Sequence, residues 1–315
     1  MKAIMYHYIR EASSEIPKFI HLDFSDFQKQ IDFLSKEYHI LNQEEFYYCL
    51  KTGKTIDKGM ILTFDDGVRD HYDYVYPYLK SKGLWGIFFI STLPFISKKL
   101  LDVHRTHYLL GRYEANDLVK YIKKIITKND LIDSANTKFA LTTYINQHSE
   151  ESIKEFKRIV NYQLNPSRKT AVLDRVMEHF LEFPEEDLAE TYYLSKKNIL
   201  EMQANGMEMG CHAHSHNLLS NLEDSNLLDE LSTSNLYLKE LVYPNELNGF
   251  CFPYGGKQSY DERVLEILAH QNYKYGFSVS SRDITRTDII NNKFELPRYD
   301  CNEFLHGQAT FNFEG

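Results

Sequence analysis

The sequence lacks the features that mark several common classes of protein. Its 315 residues include only four cysteines, at positions 49, 211, 251 and 301, and no two of them form a CxxC pair. Its longest apolar runs fall far short of the roughly 20 residues that span a membrane. The first residues carry one positive charge and too short an apolar stretch for a signal peptide. We therefore expect a cytoplasmic protein with reduced thiols and no membrane span.

The chain also lacks an excess of positive charge. The chain has 36 Lys and Arg residues against 45 Asp and Glu residues, a formal net charge of −9. Because a nucleic-acid-binding protein normally presents a basic surface, we expect no nucleic-acid partner. The sequence contains neither a glycine-rich phosphate loop nor a GxSxG element. With 43% hydrophobic and 26% charged residues, its composition is that of an ordinary globular protein.

Strand and helix patterns alternate along most of the chain. Short apolar runs predict buried parallel strands, and amphipathic segments between them predict helices. This alternation is typical of a parallel sheet or barrel. The predicted strands are Ala3–Tyr6, Met60–Phe64, Trp85–Ile90, Met207–Cys211, Phe250–Phe252 and Tyr275–Val279. The predicted helices are one capped by Ser25, then Gln43–Thr52, Tyr72–Lys82, Ser195–Asn205, Asp224–Leu241 and Tyr260–His270.

The alternation stops between residues 97 and 193. This stretch is polar, rich in Lys, Asn and Glu, and helical in its periodicity, with no strong β pattern. We expect a helical insertion of about 100 residues that covers one end of the core. Residues 1–315 then form a single barrel domain, with residues 97–193 as the insertion within it.

Polar side chains follow three of the predicted strands at the point where each strand ends. Asp65 and Asp66 follow the second strand. His212 and His216 follow the fourth strand, and Tyr254 follows the fifth. Because the carboxyl ends of parallel strands form the active-site face in α/β proteins, we expect these residues to lie together.

Adjacent carboxylates repel each other unless a cation neutralises them. Asp65 and Asp66 leave the strand in different directions, so one can bind a metal ion while the other faces an attacking water. His212 and His216 are four positions apart and can converge on the same ion. Two imidazoles and one carboxylate leave coordination positions open, which suits Zn²⁺ or another first-row metal. Either motif alone is often structural, but their order and their placement after strands favour a metal site.

Three motifs resemble those of the polysaccharide deacetylases (carbohydrate esterase family 4, with the NodB-like fold). Residues 63–67 read TFDDG, which matches the first signature of that family. Residues 210–216, GCHAHSH, resemble the second motif, H-[ST]-x-x-H, with Ala213 in the Ser/Thr position. Residues 250–255, FCFPYG, resemble the third. The motifs occur in the order of the family, and only residues 97–193 lie outside the resemblance.

The resemblance implies a distorted (β/α) barrel that hydrolyses an N-acyl, usually N-acetyl, amino sugar with the help of a metal ion. Carried over by position, Asp65 resembles the general base of the family. Asp66, His212 and His216 resemble its metal ligands. Tyr254 resembles the residue whose backbone N–H stabilises the tetrahedral oxyanion. The ion expected from the resemblance is Zn²⁺, with Co²⁺ and Ni²⁺ as alternatives.

Two departures from the family pattern concern the groups around the base. The third motif of the family carries an arginine that braces the catalytic aspartate, and here Cys251 or Phe252 stands near that place. Residues 296–298, LPR, resemble a late element of members whose motifs are circularly permuted. Arg298 is therefore predicted to replace the brace by pairing with Asp65 and holding it ionised.

The usual C-terminal Leu-x-His element, which supplies the general acid, is not evident. Residues 5–7, MYH, resemble the N-terminal element of the same circularly permuted branch, in which a histidine after the first strand takes the role of the acid. His7 is therefore predicted to protonate the departing amine, a role that suits the ordinary pKa of imidazole.

The sequence thus predicts a metal-dependent de-N-acylase. Its expected partner is an amino-sugar-containing substrate, which can be free, nucleotide-linked or lipid-linked and belongs to a surface glycan or its precursor. Two alternatives remain open: a deformylase or non-sugar amidohydrolase of the same fold, and a catalytically inactive carbohydrate-binding protein. The sequence does not indicate an oligomeric state.

Overall fold

The computed structural model describes residues 1–132, 150–242 and 247–309. The described residues form two compact units. The first comprises Met1–Glu11, His21–Lys98 and the described part of Ala189–Thr310, and the second comprises Ala12–Ile20 and the described part of Lys99–Leu188. The predicted insertion at residues 97–193 overlaps the second unit in sequence. Among the described residues, no helix is both long and apolar enough to cross a lipid bilayer.

The first unit contains an eight-stranded parallel sheet. The strands of the chain are β1 (Lys2–Tyr6), β2 (Ile9–Arg10), β3 (Leu22–Asp23), β4 (His39–Ile40), β5 (Gly59–Phe64), β6 (Ile87–Ile90), β7 (Glu208–Cys211), β8 (Gly249–Cys251), β9 (Tyr275–Phe277) and β10 (Tyr299–Asp300). The strand order in the sheet is β10-β1-β5-β6-β7-β8-β9, and the short β4 pairs with the beginning of β5. Strands β2 and β3 form a separate parallel pair.

Residues 296–300 join the two edges of this sheet. Leu296 bridges to Phe277 of β9, and the backbone N–H of Ser278 donates to the Leu296 carbonyl at 2.9 Å. Three residues further on, β10 begins and pairs with β1. The sheet therefore curls into the distorted (β/α) barrel that the sequence predicts, and Arg298 lies on the segment that connects its edges.

Strand side chains alternate between two apolar cores because successive residues of a strand point to opposite faces. Leu62 and Phe64 of β5 pack in one cluster with helix residues such as Phe27. Ile61 of the same strand belongs to a second cluster with Phe89 and strand residues on other sides of the barrel. Every residue of β5 is buried, as expected for a barrel strand that is covered on both faces.

The helices follow the predicted pattern: Gln43–Thr52 and Asp224–Leu241 have the predicted bounds, and the helices predicted at Ser195–Asn205 and Tyr260–His270 differ by one or two residues at an end. One predicted cap is wrong: the first helix begins after Asp23, whose Oδ1 accepts the N–H of Ser25 at 2.8 Å. A carboxylate two positions earlier therefore takes the capping role that the sequence assigned to Ser25. The helices are α1 (Phe24–Glu37), α2 (Gln43–Thr52), α3 (Tyr76–Lys82), α4 (Leu93–Ser97), α5 (Asp102–Arg112), α6 (Ala115–Ile125), α7 (Glu151–Arg158), α8 (Pro166–Phe180), α9 (Glu185–Tyr192), α10 (Lys196–Ala204), α11 (Asp224–Leu241), α12 (Glu262–His270) and α13 (Arg286–Asn291).

The helix predicted at residues 72–82 is not uniform. A π-helical turn covers His71–Val75, and only Tyr76–Lys82 is α-helical. Pro77 has no N–H to donate to the carbonyl four positions earlier, so a regular α-helix cannot run unbroken through this stretch. His71, the first residue of this turn, is buried and lies four positions after the glycine of the Asp-Asp-Gly motif.

The second unit is held together around one buried guanidinium. Arg105 is 1% exposed, and it donates to both carboxylate oxygens of Glu185, at 2.7 and 2.9 Å. It also donates to Asp174 at 2.8 Å and to Asp102 at 3.0 Å. A buried charge costs free energy unless it is paired, and here three carboxylates from separate helices supply the pairing.

Candidate active site

The residues that the sequence singled out lie at the carboxyl ends of neighbouring strands. Tyr6 of β1 pairs in register with Phe64 of β5, and the Asp65 N–H donates to the Tyr6 carbonyl at 2.9 Å. His7 and Asp65 therefore leave the sheet side by side. Strands β6, β7 and β8 follow in order across the sheet, so the histidine loop after β7 opens at the same end.

Asp66, His212 and His216 converge on one point. The Oδ1 of Asp66 lies 3.4 Å from the Nε2 of His212 and 3.4 Å from the Nε2 of His216. All three side chains are buried, and their ligand atoms lie within 4.8 Å of one another. The structure thus brings together the carboxylate and the two imidazoles that the sequence predicted to share an ion.

The donor atoms of this triad fit a divalent metal ion. A tetrahedral ion with bonds of about 2.1 Å holds its ligand atoms roughly 3.4 Å apart, which is the spacing present here. The Nδ1 of His212 lies 2.8 Å from the Cys251 carbonyl oxygen. Because a carbonyl oxygen only accepts, Nδ1 carries the proton, and the lone pair of Nε2 points to the site.

The electrostatic field at the triad favours positive charge. Burial by itself opposes a charge on His212, but interaction with the Cys251 thiol, hydrogen bonding to Asp66 and the nearby Asp65 carboxylate raise the pKa of His212 well above its usual value. A cation among these groups would offset the same negative charge that otherwise attracts a proton. The donor atoms of the triad and the negative charge around them therefore both favour a bound cation.

Four residues at the site have left-handed backbone conformations. Their φ angles are +78° for Asp66, +59° for Ala213, +59° for His216 and +63° for Tyr254. A non-glycine residue in this region costs of order 1 kcal/mol or more and persists only where its surroundings impose it. Two of the three triad residues are thus held in conformations that the chain would not adopt alone.

Arg298 binds both oxygens of Asp65. Its Nη1 donates to Oδ1 at 2.8 Å, and its Nη2 donates to Oδ2 at 2.7 Å. Nη1 also donates to the Thr63 hydroxyl at 3.0 Å. The guanidinium is fully buried and stacks over the rings of Phe89 and Phe277. The predicted pairing of Arg298 with Asp65 is therefore present, in bidentate form.

This pair keeps Asp65 ionised. Burial by itself would raise the pKa of the Asp65 carboxyl, but the Arg298 charge and its hydrogen bonds more than offset burial and lower that pKa to about 2. The Sγ of Cys251 lies 3.4 Å from Asp65 Oδ2 and 2.9 Å from Arg298 Nη2. Cys251 thus fills the space between the strands beside the ion pair.

A second group of potential ligand atoms comprises Asp65, His212 and Cys251. It shares His212 with the triad, so the two groups cannot each hold an ion independently. Arg298 lies against both Asp65 and Cys251, and its positive charge would repel a cation there. The Asp66 triad is therefore the better metal site among the described residues.

His7 is fixed through its backbone. The Nε2 of His71 lies 2.9 Å from the His7 carbonyl oxygen, and burial lowers the pKa of His71 to about 4, so the His71 ring is neutral and donates to that oxygen. The His7 side chain is half-buried and lies close enough to Asp65 to contribute to the lowering of the Asp65 pKa. The structure thus places the predicted acid beside the predicted base.

Tyr254 lies at the rim of the site. Its ring centroid is 4.9 Å from that of His216, and its side chain is 45% exposed. The structure therefore brings all seven predicted residues to one end of the barrel. Their chemical roles stay predictions.

Other side chains at the site were missed from the sequence. Thr63 lies two positions before Asp65 on β5 and so faces the same side, a signal that strand periodicity offers. Ser91 donates to the His212 carbonyl at 2.8 Å, and nothing in its neighbourhood of the sequence indicates that contact. The sequence shows Cys251 as a departure from a motif but does not indicate that its thiol lies beside Asp65 and Arg298.

A curled parallel barrel with two imidazoles, a carboxylate and a second, ionised carboxylate at its carboxyl end has the architecture of a metal-dependent hydrolase. The sequence profile described as polysaccharide deacetylase matches residues 52–276, well over half of the chain. The chain belongs to the polysaccharide deacetylase family, which acts on carbohydrate and depends on a metal ion. A comparison with curated protein sequences gives no significant match.

Solved structures of deacetylases share the fold. The Streptococcus pyogenes deacetylase PplD, in complex with acetate, has a TM-score of 0.58 and 18% identity, over 98% of this chain and 94% of PplD. A de-N-acetylase from Aggregatibacter actinomycetemcomitans has a TM-score of 0.53 and 12% identity, over 94% of this chain and 93% of its own. IcaB from Ammonifex degensii has a TM-score of 0.50 and 15% identity, over 88% of this chain and 82% of IcaB.

Proposed function

We propose that this protein is a zinc-dependent de-N-acetylase of an amino sugar in a glycan or glycan precursor. The observation that carries the proposal is the position of the ionised Asp65 carboxylate directly beside the Asp66, His212 and His216 triad. A carboxylate base next to three convergent ligands is an arrangement suited to metal-assisted hydrolysis of an amide. That PplD was solved with acetate supports the acyl group.

Zinc is the ion that this donor set favours. Two neutral imidazoles and one carboxylate are typical of catalytic zinc, and Co²⁺ and Ni²⁺ are the alternatives for the same ligands. When bound by Asp66, His212 and His216, the ion supplies a Lewis acid that activates water and polarises the acyl oxygen.

Asp65 accepts a proton from the attacking water. Arg298 holds both oxygens of Asp65 in a fixed plane, so the carboxylate keeps one orientation and stays deprotonated at neutral pH. The low pKa makes Asp65 a weak base, and an ion held by the triad would compensate by making the water easier to deprotonate.

The backbone N–H of Tyr254 donates to the oxygen that becomes negative as the water adds to the acyl carbon. His7 then donates a proton to the amine nitrogen as the C–N bond breaks. The products are acetate and a free amino sugar. The neutral His71 fixes the backbone of His7 and so aims the imidazole.

The experiment pairs metal analysis with product analysis. Protein purified without added metal is assayed for zinc, and acetate and formate release are measured on N-acylated glucosamine and galactosamine oligomers and their nucleotide- and lipid-linked forms. The expected result is about one zinc per chain and release of acetate with a matching free amine. Formate release instead would identify a deformylase. Bound zinc with no turnover of any substrate would support the carbohydrate-binding alternative, and no zinc after reconstitution would refute the proposal.

A further inference from the structure

The loop between the two histidines of the triad is anchored by a buried glutamate on a helix. Glu230 lies on α11 and is 7% exposed. Its Oε1 accepts the backbone N–H groups of His214, at 2.9 Å, and Ser215, at 2.5 Å. Its Oε2 accepts the Ser215 hydroxyl at 2.7 Å. One carboxylate thus makes three hydrogen bonds to two consecutive residues of the loop.

The segment that follows strand β6 also holds this loop. The backbone N–H of Leu93 donates to the His214 carbonyl at 2.8 Å, and the Thr92 hydroxyl lies 2.8 Å from the His214 Nδ1. Ser91 donates to the carbonyl of His212. The N–H, the carbonyl and the ring of His214 therefore each have a hydrogen-bond partner. These contacts explain why a histidine stands between the two predicted ligands although it is not a ligand itself.

This anchorage matters because the loop is not a relaxed turn. Ala213 and His216 both have left-handed φ angles, and the two ligand imidazoles meet Asp66 only with the loop in this shape. A loop that lost its attachment to α11 would relax toward ordinary backbone conformations and move His216 away from Asp66. The hydrogen bonds to Glu230 oppose that relaxation.

We infer that Glu230 is a positioning residue of the metal site, which sets zinc affinity by holding the His214–Ser215 backbone. The inference rests on the proposed function, because it takes the triad as the site of a zinc ion. Glu230 acts only through the loop and does not touch the ion or the substrate. Partners of this kind, one step removed from the ligands, typically change metal affinity by about 10- to 100-fold when they are lost.

A second buried glutamate provides the matched control. Glu208 begins strand β7, at the opposite end from the site, and is 6% exposed. It accepts the hydroxyls of Tyr275, at 2.6 Å, and Tyr47, at 2.7 Å. Loss of the Glu208 carboxylate removes buried hydrogen bonds, as loss of the Glu230 carboxylate does, but at a place far from the loop. A Glu208 variant therefore distinguishes a general loss of stability from a specific loss of metal affinity.

The experiment measures the zinc dissociation constant of the full chain by competition with a chromophoric chelator, together with the melting temperature of the metal-free protein. Glu230→Met keeps the volume of the side chain and removes its acceptors, and we expect its zinc dissociation constant to rise by about 10- to 100-fold. Glu230→Gln keeps an acceptor for both N–H groups and should stay within roughly threefold of the unsubstituted protein. Glu208→Met should leave the constant unchanged.

Zinc affinity of Glu230→Met equal to that of the unsubstituted protein overturns the inference, as does an equal loss in Glu208→Met. If Glu230→Met does not fold, Ser215→Ala removes the Oε2 contact together with the hydrogen bond that the Ser215 hydroxyl accepts from Asn217. A rise of roughly threefold in the constant that Asn217→Ala does not reproduce supports the inference, whereas no rise, or an equal rise in Asn217→Ala, overturns it. Failure of the unsubstituted protein to bind zinc refutes the proposed function itself. The two failures are therefore distinguishable.

Discussion

The guanidinium of Arg298 and the carboxylate of Asp65 form a bidentate ion pair although the two residues are 233 positions apart. Both side chains are almost completely inaccessible to solvent, with exposures of 1% and 2%. The guanidinium lies over two phenylalanine rings, so neither charge has water to replace its partner. The pair is thus a buried structural element, and in the proposed mechanism it also holds the base.

Removal of the arginine should destabilise the fold. In Arg298→Met the Asp65 carboxylate is buried without its counter-charge, and we expect a loss of about 3–5 kcal/mol in the free energy of unfolding. Burial, now unopposed, should also raise the Asp65 pKa and move the acidic limb of the kcat/KM profile to higher pH. Urea unfolding and a pH–rate profile test both effects. An acidic limb that stays in place would contradict the assignment of Asp65 as the base.

The same pair predicts how stability depends on pH. The pKa of Asp65 is about 2 in the folded chain against an ordinary 3.8, so its contribution is present above pH 4 and is lost as pH falls toward 2. The difference corresponds to about 2 kcal/mol. Urea unfolding of the unsubstituted protein and of Asp65→Asn at pH 5, 4 and 3 should show the two stabilities converging as the pH falls. A difference in stability that does not change with pH would mean that the pKa of Asp65 is not lowered in the folded protein.

Substitution of the two adjacent aspartates should separate metal binding from proton transfer. Asp66→Ala removes one of three ligands, and we expect loss of zinc together with activity. Asp65→Asn removes the base but leaves the triad, so kcat should fall by roughly 10²- to 10⁴-fold with about one zinc per chain retained. Zinc analysis and acetate release on the same samples provide the measurement. Activity retained by Asp65→Asn would exclude it as the base.

The predicted acid can be tested through the leaving group. In His7→Gln we expect hydrolysis of a sugar N-acetyl group to fall by roughly 10²- to 10⁴-fold, because an amine leaves only when it is protonated. An aryl acetate ester needs no such proton, so its hydrolysis should fall much less. The measurement is kcat for both substrates, with zinc content as the control. Equal losses on the two substrates would point to a structural role for His7.

The second unit offers a stability prediction that does not concern the site. Arg105 is buried and bound to three carboxylates, so Arg105→Met should cost about 3–5 kcal/mol in the free energy of unfolding. Lys99 pairs with Asp174 at the surface, and Lys99→Ala should cost about 0–1 kcal/mol. Urea unfolding of both variants provides the comparison. A similar cost for the two substitutions would contradict the proposed importance of burial.

Local patterns explain why much of the barrel was predictable. The apolar run at Met60–Phe64 reads as a buried strand in isolation, and the structure has that strand at Gly59–Phe64. Asn42 caps the start of helix α2 through a capping box with Glu45, and Gly53, with a left-handed φ, caps its end. Each of these signals depends only on residues within one or two turns. The cap of the first helix was predicted wrongly as Ser25, because Asp23 two positions earlier accepts the N–H of Ser25 instead.

The sequence by itself determined the chemical identity of the site: two carboxylates after one strand and two histidines after another, which parallel strands must bring to the same end. The pairing of Arg298 with Asp65 was predicted only through the family resemblance, and closure of the sheet is what brings the two residues together. Only the tertiary structure decided the other contacts, such as the packing of α11 that brings Glu230 to the histidine loop. Periodicity encodes which face of a strand or helix is buried, but not which distant segment covers it, because that choice depends on the packing of the whole barrel.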